Sequence, residues 1–188
     1  MYGLGPSNGS LMISTGRAGL AARAGHDLVI EVGRWNAELS FEPDAPERTY
    51  LRATADATSL TVREGLGGAK PLTDADRAQI QQTIADKILR TNRHPEITFV
   101  STSAQADRDG VLSVTGDLTI AGVGVTVQLP ISMQAGDDGT VLTTSVAIMQ
   151  SRFGIKPFSA LMGSLKVADT VEIRASAKVP QVEPVAER

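Results

Sequence analysis

Few side chains in these 188 residues can do acid–base or nucleophilic chemistry. The chain has no cysteine and two histidines, His26 and His94. Disulfides, thiolate metal sites and a cysteine nucleophile are therefore excluded, and so is a histidine-rich metal centre. Gly25–His26–Asp27 has the composition of a catalytic dyad. Adjacent residues of an extended chain point to opposite faces, however, and a serine–histidine–aspartate arrangement needs partners that only the fold can supply. His26 therefore reads as a structural or ligand-facing polar group, and no catalytic residue is assigned. The enzyme alternative would use His26 as base, with Arg152 or Arg93 as an anion site. The polar run Arg90–Glu96 (RTNRHPE) could clamp an anion, but Arg and His in a last helical turn followed by Pro95 fit helix-end chemistry better. Gly65–Leu66–Gly67–Gly68 lacks the Lys-Ser/Thr of a phosphate loop, since Lys70 is followed by Pro71, and is expected to be a mobile loop. Asp74 and Asp76 sit at a helix start and Asp137–Asp138 in a turn. No acidic run has calcium-loop spacing, and no metal is expected.

The elements that must position these groups are mostly strands. Leu28, Ile30 and Val32 alternate with Val29, Glu31 and Gly33. Past Gly33–Arg34, Trp35, Ala37, Leu39 and Phe41 alternate with Asn36, Glu38 and Ser40. The closeness of the two runs predicts a tight hairpin near Gly33. Further strands are expected near Tyr50–Ala57, over Ile97–Gln105, and as a hairpin of Leu112–Ile120 with Val125–Met133 turned at Gly122–Val123–Gly124. Asp137–Asp138–Gly139 turns the chain into a strand through Leu142–Ile148, and Val167–Val179 is the last strand. Pro130, inside a strand pattern, demands an edge, a bulge or a strand end. Residues 73–89 (TDADRAQIQQTIADKIL) read as a helix, with Thr73 and Asp76 as a capping box and Ile80, Ile84 and Ile88 as its apolar stripe. Arg17–Arg23 predicts one or two helical turns. Residues 1–9 and the tail 180–188 are expected to be flexible. The pattern is all-β with one helix: an antiparallel β-barrel of about eight strands around an apolar interior.

Composition narrows the function classes. Net charge is −3 with no basic stripe, which argues against nucleic acid as a partner. No run approaches the ~20 apolar residues of a membrane span. The N-terminus lacks the charged and apolar regions of a secretory signal. The expected location is cytoplasmic, or periplasmic or secreted if a leader has been removed. Phe153–Met162 (FGIKPFSALM) holds two of the four phenylalanines in a non-strand connection, as a core plug or as the lip of an apolar site. Small inward residues such as Ala37 and Gly116 leave room inside.

Four segments carry a family resemblance: His26–Phe41 (HDLVIEVGRWNAELSF), Ile88–Ser101 (ILRTNRHPEITFVS), Gly116–Leu129 (GDLTIAGVGVTVQL) and Arg152–Ile173. Together the chain resembles the YceI-like family of polyisoprenoid-binding proteins with a lipocalin-like barrel. The likeness runs from about residue 10 to 179 and implies a single domain there. Gly124–Val125–Thr126 stands where the family usually has Thr-Lys-Pro. The resemblance implies a non-catalytic carrier that holds a polyisoprenoid or an isoprenoid quinone in the barrel, with no other cofactor. The tunnel lining expected on this basis is Leu28, Ile30, Leu39, Phe41, Phe99, Leu118, Leu129, Val146, Phe153, Phe158 and Met162, with His26 as a polar contact. The partner is then an apolar lipid, and transient membrane contact and a homodimer stay open. A filled barrel acting as a structural or stress-related interaction module is the main alternative.

Overall fold

Alternating β-branched and polar residues favour extended chain, and they build antiparallel ladders through most of this protein. The computed structural model describes residues 1–42, 44–106 and 111–180. The strands are β1 (Tyr2–Leu4), β2 (Gly9–Ala18), β3 (Asp27–Val32), β4 (Trp35–Ser40), β5 (Tyr50–Asp56) and β6 (Leu60–Leu66). After a helix come β7 (Glu96–Ala106), β8 (Leu112–Ile120), β9 (Val123–Gly136), β10 (Gly139–Met149), β11 (Ser159–Ala160) and β12 (Leu165–Val179). One sheet runs in the order β1-β4-β5-β7-β8-β9-β10-β12-β2-β3-β6, with β11 paired to β12.

The backbone joins the two ends of this path. β3 continues into β4 across Gly33–Arg34, and β5 into β6 across a short 3-10 turn, Ala57–Ser59. β3 pairs with β6 while β4 pairs with β5, so the halves make two long bent strands side by side. With each bent strand counted once, and the short β1 and β11 set aside, eight staves surround the interior. The fold is thus the expected antiparallel barrel with one helix, although its ladders divide into more segments than the sequence suggests.

The hairpin expected at Gly33 is not formed. A two-residue hairpin loop needs positive φ, and neither Gly33 nor Arg34 has it. Instead the Gly33 and Arg34 N–H groups donate to the carbonyl and hydroxyl of Ser59, and the Asp56 N–H donates to the Arg34 carbonyl. Residues 1–9, expected to be loose, include β1, which pairs with β4 through Tyr2–Leu39 and Leu4–Ala37. Arg17 and Ala18 end β2 rather than starting a helix, and only Ala22–Ala24 forms a 3-10 turn. Gly65 and Leu66 belong to β6. In the expected tail, residues beyond Pro180 lie outside the described residues.

Helix α1 (Asp74–Thr83) starts with the expected capping box: the Asp76 N–H donates to the Thr73 hydroxyl, and the Thr73 N–H to the Asp76 carboxylate. It widens into a π-helical turn, Ile84–Leu89, and stops at Arg90 in the left-handed conformation. The run Arg90–His94 closes on itself, with Arg93 and His94 N–H groups donating to the Arg90 carbonyl. The helix lies along the free edge of β6, where the Val62 N–H donates to Gln81 Oε1 at 2.9 Å. Pro130 is where β9 parts from β10: pairing with β10 ends at Ile131, while pairing with β8 continues to Val123.

Candidate binding cavity

Inward residues of nearly every stave leave a cavity of about 600 Å³. Its volume lies within the ~300–1,000 Å³ usual for small-molecule sites. Small side chains make the space: Ala37, Ala53, Ala55, Ala175 and Ala177 all line it. On β12 the lining extends from Leu165 to Ala177. At ~3.3 Å per residue and with ordinary barrel tilt, that is about 30 Å along the axis. One end is closed by the packed core, where Leu112 and Val114 are wholly buried and Phe41 and Val179 nearly so. The other end opens between the first turns of α1, the connection after β2 and the connection into β12, where Ala24, His26, Asp76, Phe158 and Lys166 border the cavity.

The expected lining residues separate into groups. Leu28, Ile30, Leu39, Phe99, Leu118, Leu129, Val146, Phe153 and Phe158 are in the cavity wall. Phe41 is not; it is buried in the core below. Met162 is not either; its side chain is fully exposed outside. Gly116 does not open space for a ligand. A Cβ there would meet Phe99 Cζ at 2.6 Å and the Val100 carbonyl oxygen at 2.4 Å, so the aromatic ring occupies the vacancy.

Polar groups gather at the mouth. Arg17 Nε and the Arg17 N–H both donate to Asp27 Oδ1, at 3.1 and 2.8 Å, and Nη1 donates to the Gly25 carbonyl. His26 Nε2 donates to the Lys70 carbonyl at 2.7 Å. Gly67 and Gly68 have φ of 74° and 75° and rest on these two side chains. A Cβ at Gly68 would lie 2.3 Å from His26 Nε2, so only glycine lets the loop close over the imidazole. At the edge of the mouth, the Thr73 hydroxyl and N–H hold the Asp76 carboxyl below its usual range. Deeper in, the Thr144 hydroxyl is buried with no hydrogen-bond partner among the described residues. His26 meets neither arginine proposed for an anion site, because Arg93 and Arg152 do not line the cavity that His26 borders. Among the described residues no group of three His, Asp or Glu side chains is arranged to hold a metal ion.

A family model for the YceI-like domain matches residues 8–179. The chain belongs to the YceI-like family. Solved structures share its fold at low identity. BcnA of Burkholderia cenocepacia is 20% identical, over 89% of this chain and 94% of that one, with a TM-score of 0.69. The YceI protein of Campylobacter jejuni is 17% identical, over 82% and 85%, with a TM-score of 0.61. A polyisoprenoid-binding domain from Saccharophagus degradans, implicated in plant cell wall breakdown, is 10% identical over 95% and 98%, with a TM-score of 0.58. No curated protein sequence matches the chain.

This YceI-like cavity also has walls that sequence reasoning did not assign. Leu11 and Ile13 of β2, Leu165 of β12, and Ile80, Ile84 and Ile88 of the helical segment all line it. Their signals were present. Leu11, Ile13 and Thr15 alternate with polar or outward residues, and the isoleucines form a stripe. What was not visible is that the stripe roofs a cavity instead of packing on a filled sheet.

Proposed function

We propose that this protein is a non-catalytic binding protein that holds the tail of an apolar lipid, an isoprenoid or isoprenoid quinone, inside its barrel. The observation that carries this reading is the long, predominantly apolar cavity, closed at one end, whose ionisable lining residues lie at its mouth. Burying a hydrocarbon tail there gains roughly 25 cal/mol per Å² of apolar surface, less the cost of ordering the tail. A long lumen with few polar groups selects for chain length and apolarity. The polar groups of a ligand would stay at the mouth, near Arg17, His26 and Lys166. The fold shared with a domain described as polyisoprenoid-binding supports the ligand class. The engagement of His26 Nε2 by the Lys70 carbonyl supports a structural role for that side chain over a catalytic one.

Native mass spectrometry and organic extraction of purified protein test the proposal. An isoprenoid should co-purify, or added isoprenoid quinone should be taken up. Ala175→Phe puts a ring into the lumen and should block uptake while the folded β-signature in circular dichroism persists. Protein that never takes up an added quinone, or an Ala175→Phe variant that binds as well as the wild type, would overturn it.

A further inference from the structure

The mouth of the cavity presents large apolar side chains to solvent. Met162, Leu20 and Leu161 are 106%, 101% and 63% exposed, and Leu66 and Phe158 are about half exposed. Their loops meet at one end of the barrel. Gly19 lies against Ser164, the Ala21 N–H donates to the Ser164 carbonyl at 2.8 Å, and Gly67 packs on Arg17, whose β2 neighbour Ala18 pairs with Lys166. The other exposed large apolar residues of the strands, Tyr50, Val100, Val123 and Met149, fall one each on β5, β7, β9 and β10. Clustering at the mouth is therefore a local feature. Two of these residues are held in a strained backbone. Leu161 and Met162 have φ of 50° and 51°, a conformation that side chains other than glycine adopt reluctantly.

The loops of the same end carry an excess of cations, flanked by Asp27, Glu64, Asp74 and Asp76 on the adjoining strands and helix. Residues 17–26, 65–72 and 155–166 contain Arg17, Arg23, Lys70, Lys156 and Lys166 and no aspartate or glutamate, in a chain of net charge −3. Arg17 is paired with Asp27. Among the described residues, Arg23, Lys70, Lys156 and Lys166 have no carboxylate within ion-pair distance. The carboxylates in the first turn of α1 are engaged locally, Asp74 by Arg77 and Asp76 by Thr73.

We propose that this rim is a docking surface for an anionic lipid bilayer. Leu20, Leu161 and Met162 enter the interface, the free cations meet lipid phosphates, and the mouth faces the acyl region so that ligand passes without crossing water. An apolar patch ringed by cations is the composition of interfacial anchors. A second copy of the chain fits less well, because a two-fold contact would set the same unpaired cations against each other. The proposal rests on the lipid-cavity reading for its purpose, but it stands on different residues.

Co-sedimentation with vesicles tests it, using phosphatidylcholine alone and phosphatidylcholine mixed with phosphatidylglycerol. Wild type should bind the anionic vesicles preferentially, and less at high salt. The double variant Leu161→Gly, Met162→Gly relieves the backbone strain, so its thermal midpoint should not fall. Its vesicle binding should drop by roughly tenfold for each side chain lost. Arg23→Glu with Lys156→Glu should remove the preference for anionic vesicles. Wild type that ignores both vesicles, a glycine variant that binds undiminished, or a wild-type dimer in sedimentation analysis that the glycine variant abolishes would each overturn the proposal. Uptake of detergent-dispersed quinone, measured alongside, separates the two readings. Uptake without vesicle binding rejects docking and keeps the cavity reading. Vesicle binding without uptake keeps docking and rejects the cavity reading.

Discussion

Gly116 shows how a single residue can mislead a reading of the interior. By alternation it faces inward with Leu112, Val114, Leu118 and Ile120, and an inward glycine suggests empty space. The Phe99 ring from the neighbouring strand fills that space. Gly116→Ala should therefore destabilise the protein by overpacking, by about 1–3 kcal/mol. Thermal melts would show it, and an unchanged midpoint would mean that the ring moves aside freely. The sequence could show that position 116 is inward. It could not show which side chain across the ladder leans into the gap, because that depends on the pairing of Ser101 with Gly116 and on the adjacent register shift.

At the scale of elements, local chemistry and long-range pairing were unequally legible. The capping box of α1 lies within four consecutive residues, so Thr73 and Asp76 announced it. Thr73→Ala should cost about 1 kcal/mol and fray the helix that covers the edge of β6, measurable as a lower urea midpoint. The bend after Val32 was misread as a hairpin turn. Both geometries leave Val32 and Trp35 on the inner side, so the alternation fits either one. What decides for the bend is Ser59, 25 residues away, which takes the N–H groups of Gly33 and Arg34. The bend has its own pH signature. The Thr58 hydroxyl, then Arg34 and the Thr58 N–H, hold the Asp56 carboxyl below its ordinary value against the opposing effect of burial. A folded value below the unfolded one stabilises the protein fully above about pH 4 and is lost as pH falls through the folded value. Asp56→Asn should therefore be less stable than wild type at neutral pH. The difference should shrink in urea titrations as pH falls below about 4. A gap that stays constant with pH would sink this account.

For the whole molecule, the consequence is linkage between the cavity and stability. A ligand that enters only the folded barrel stabilises it by mass action, about 2.7 kcal/mol at a free concentration of a hundred times Kd. Added isoprenoid quinone should raise the thermal midpoint of the wild type and leave that of Ala175→Phe unmoved. Equal shifts in both proteins would place the binding outside the lumen.

The sequence by itself determined the antiparallel class, the position of the helix and its cap, that Pro130 marks an edge, a bulge or a strand end, and which face of most strands turns inward. Each of these follows from neighbours a few residues apart, through period-two alternation, capping or a missing N–H. The tertiary structure decided which inward residues border a cavity and which pack solid. Leu39 and Phe41 are two residues apart and both point inward, yet the first lines the lumen and the second seals its closed end. Their difference lies along the barrel axis, where Leu112, Val114 and Val179 arrive from strands distant in sequence. The same holds at the open end. Met162 reads as apolar, and the structure places it fully exposed outside the mouth, on a backbone that is left-handed at Leu161 and Met162.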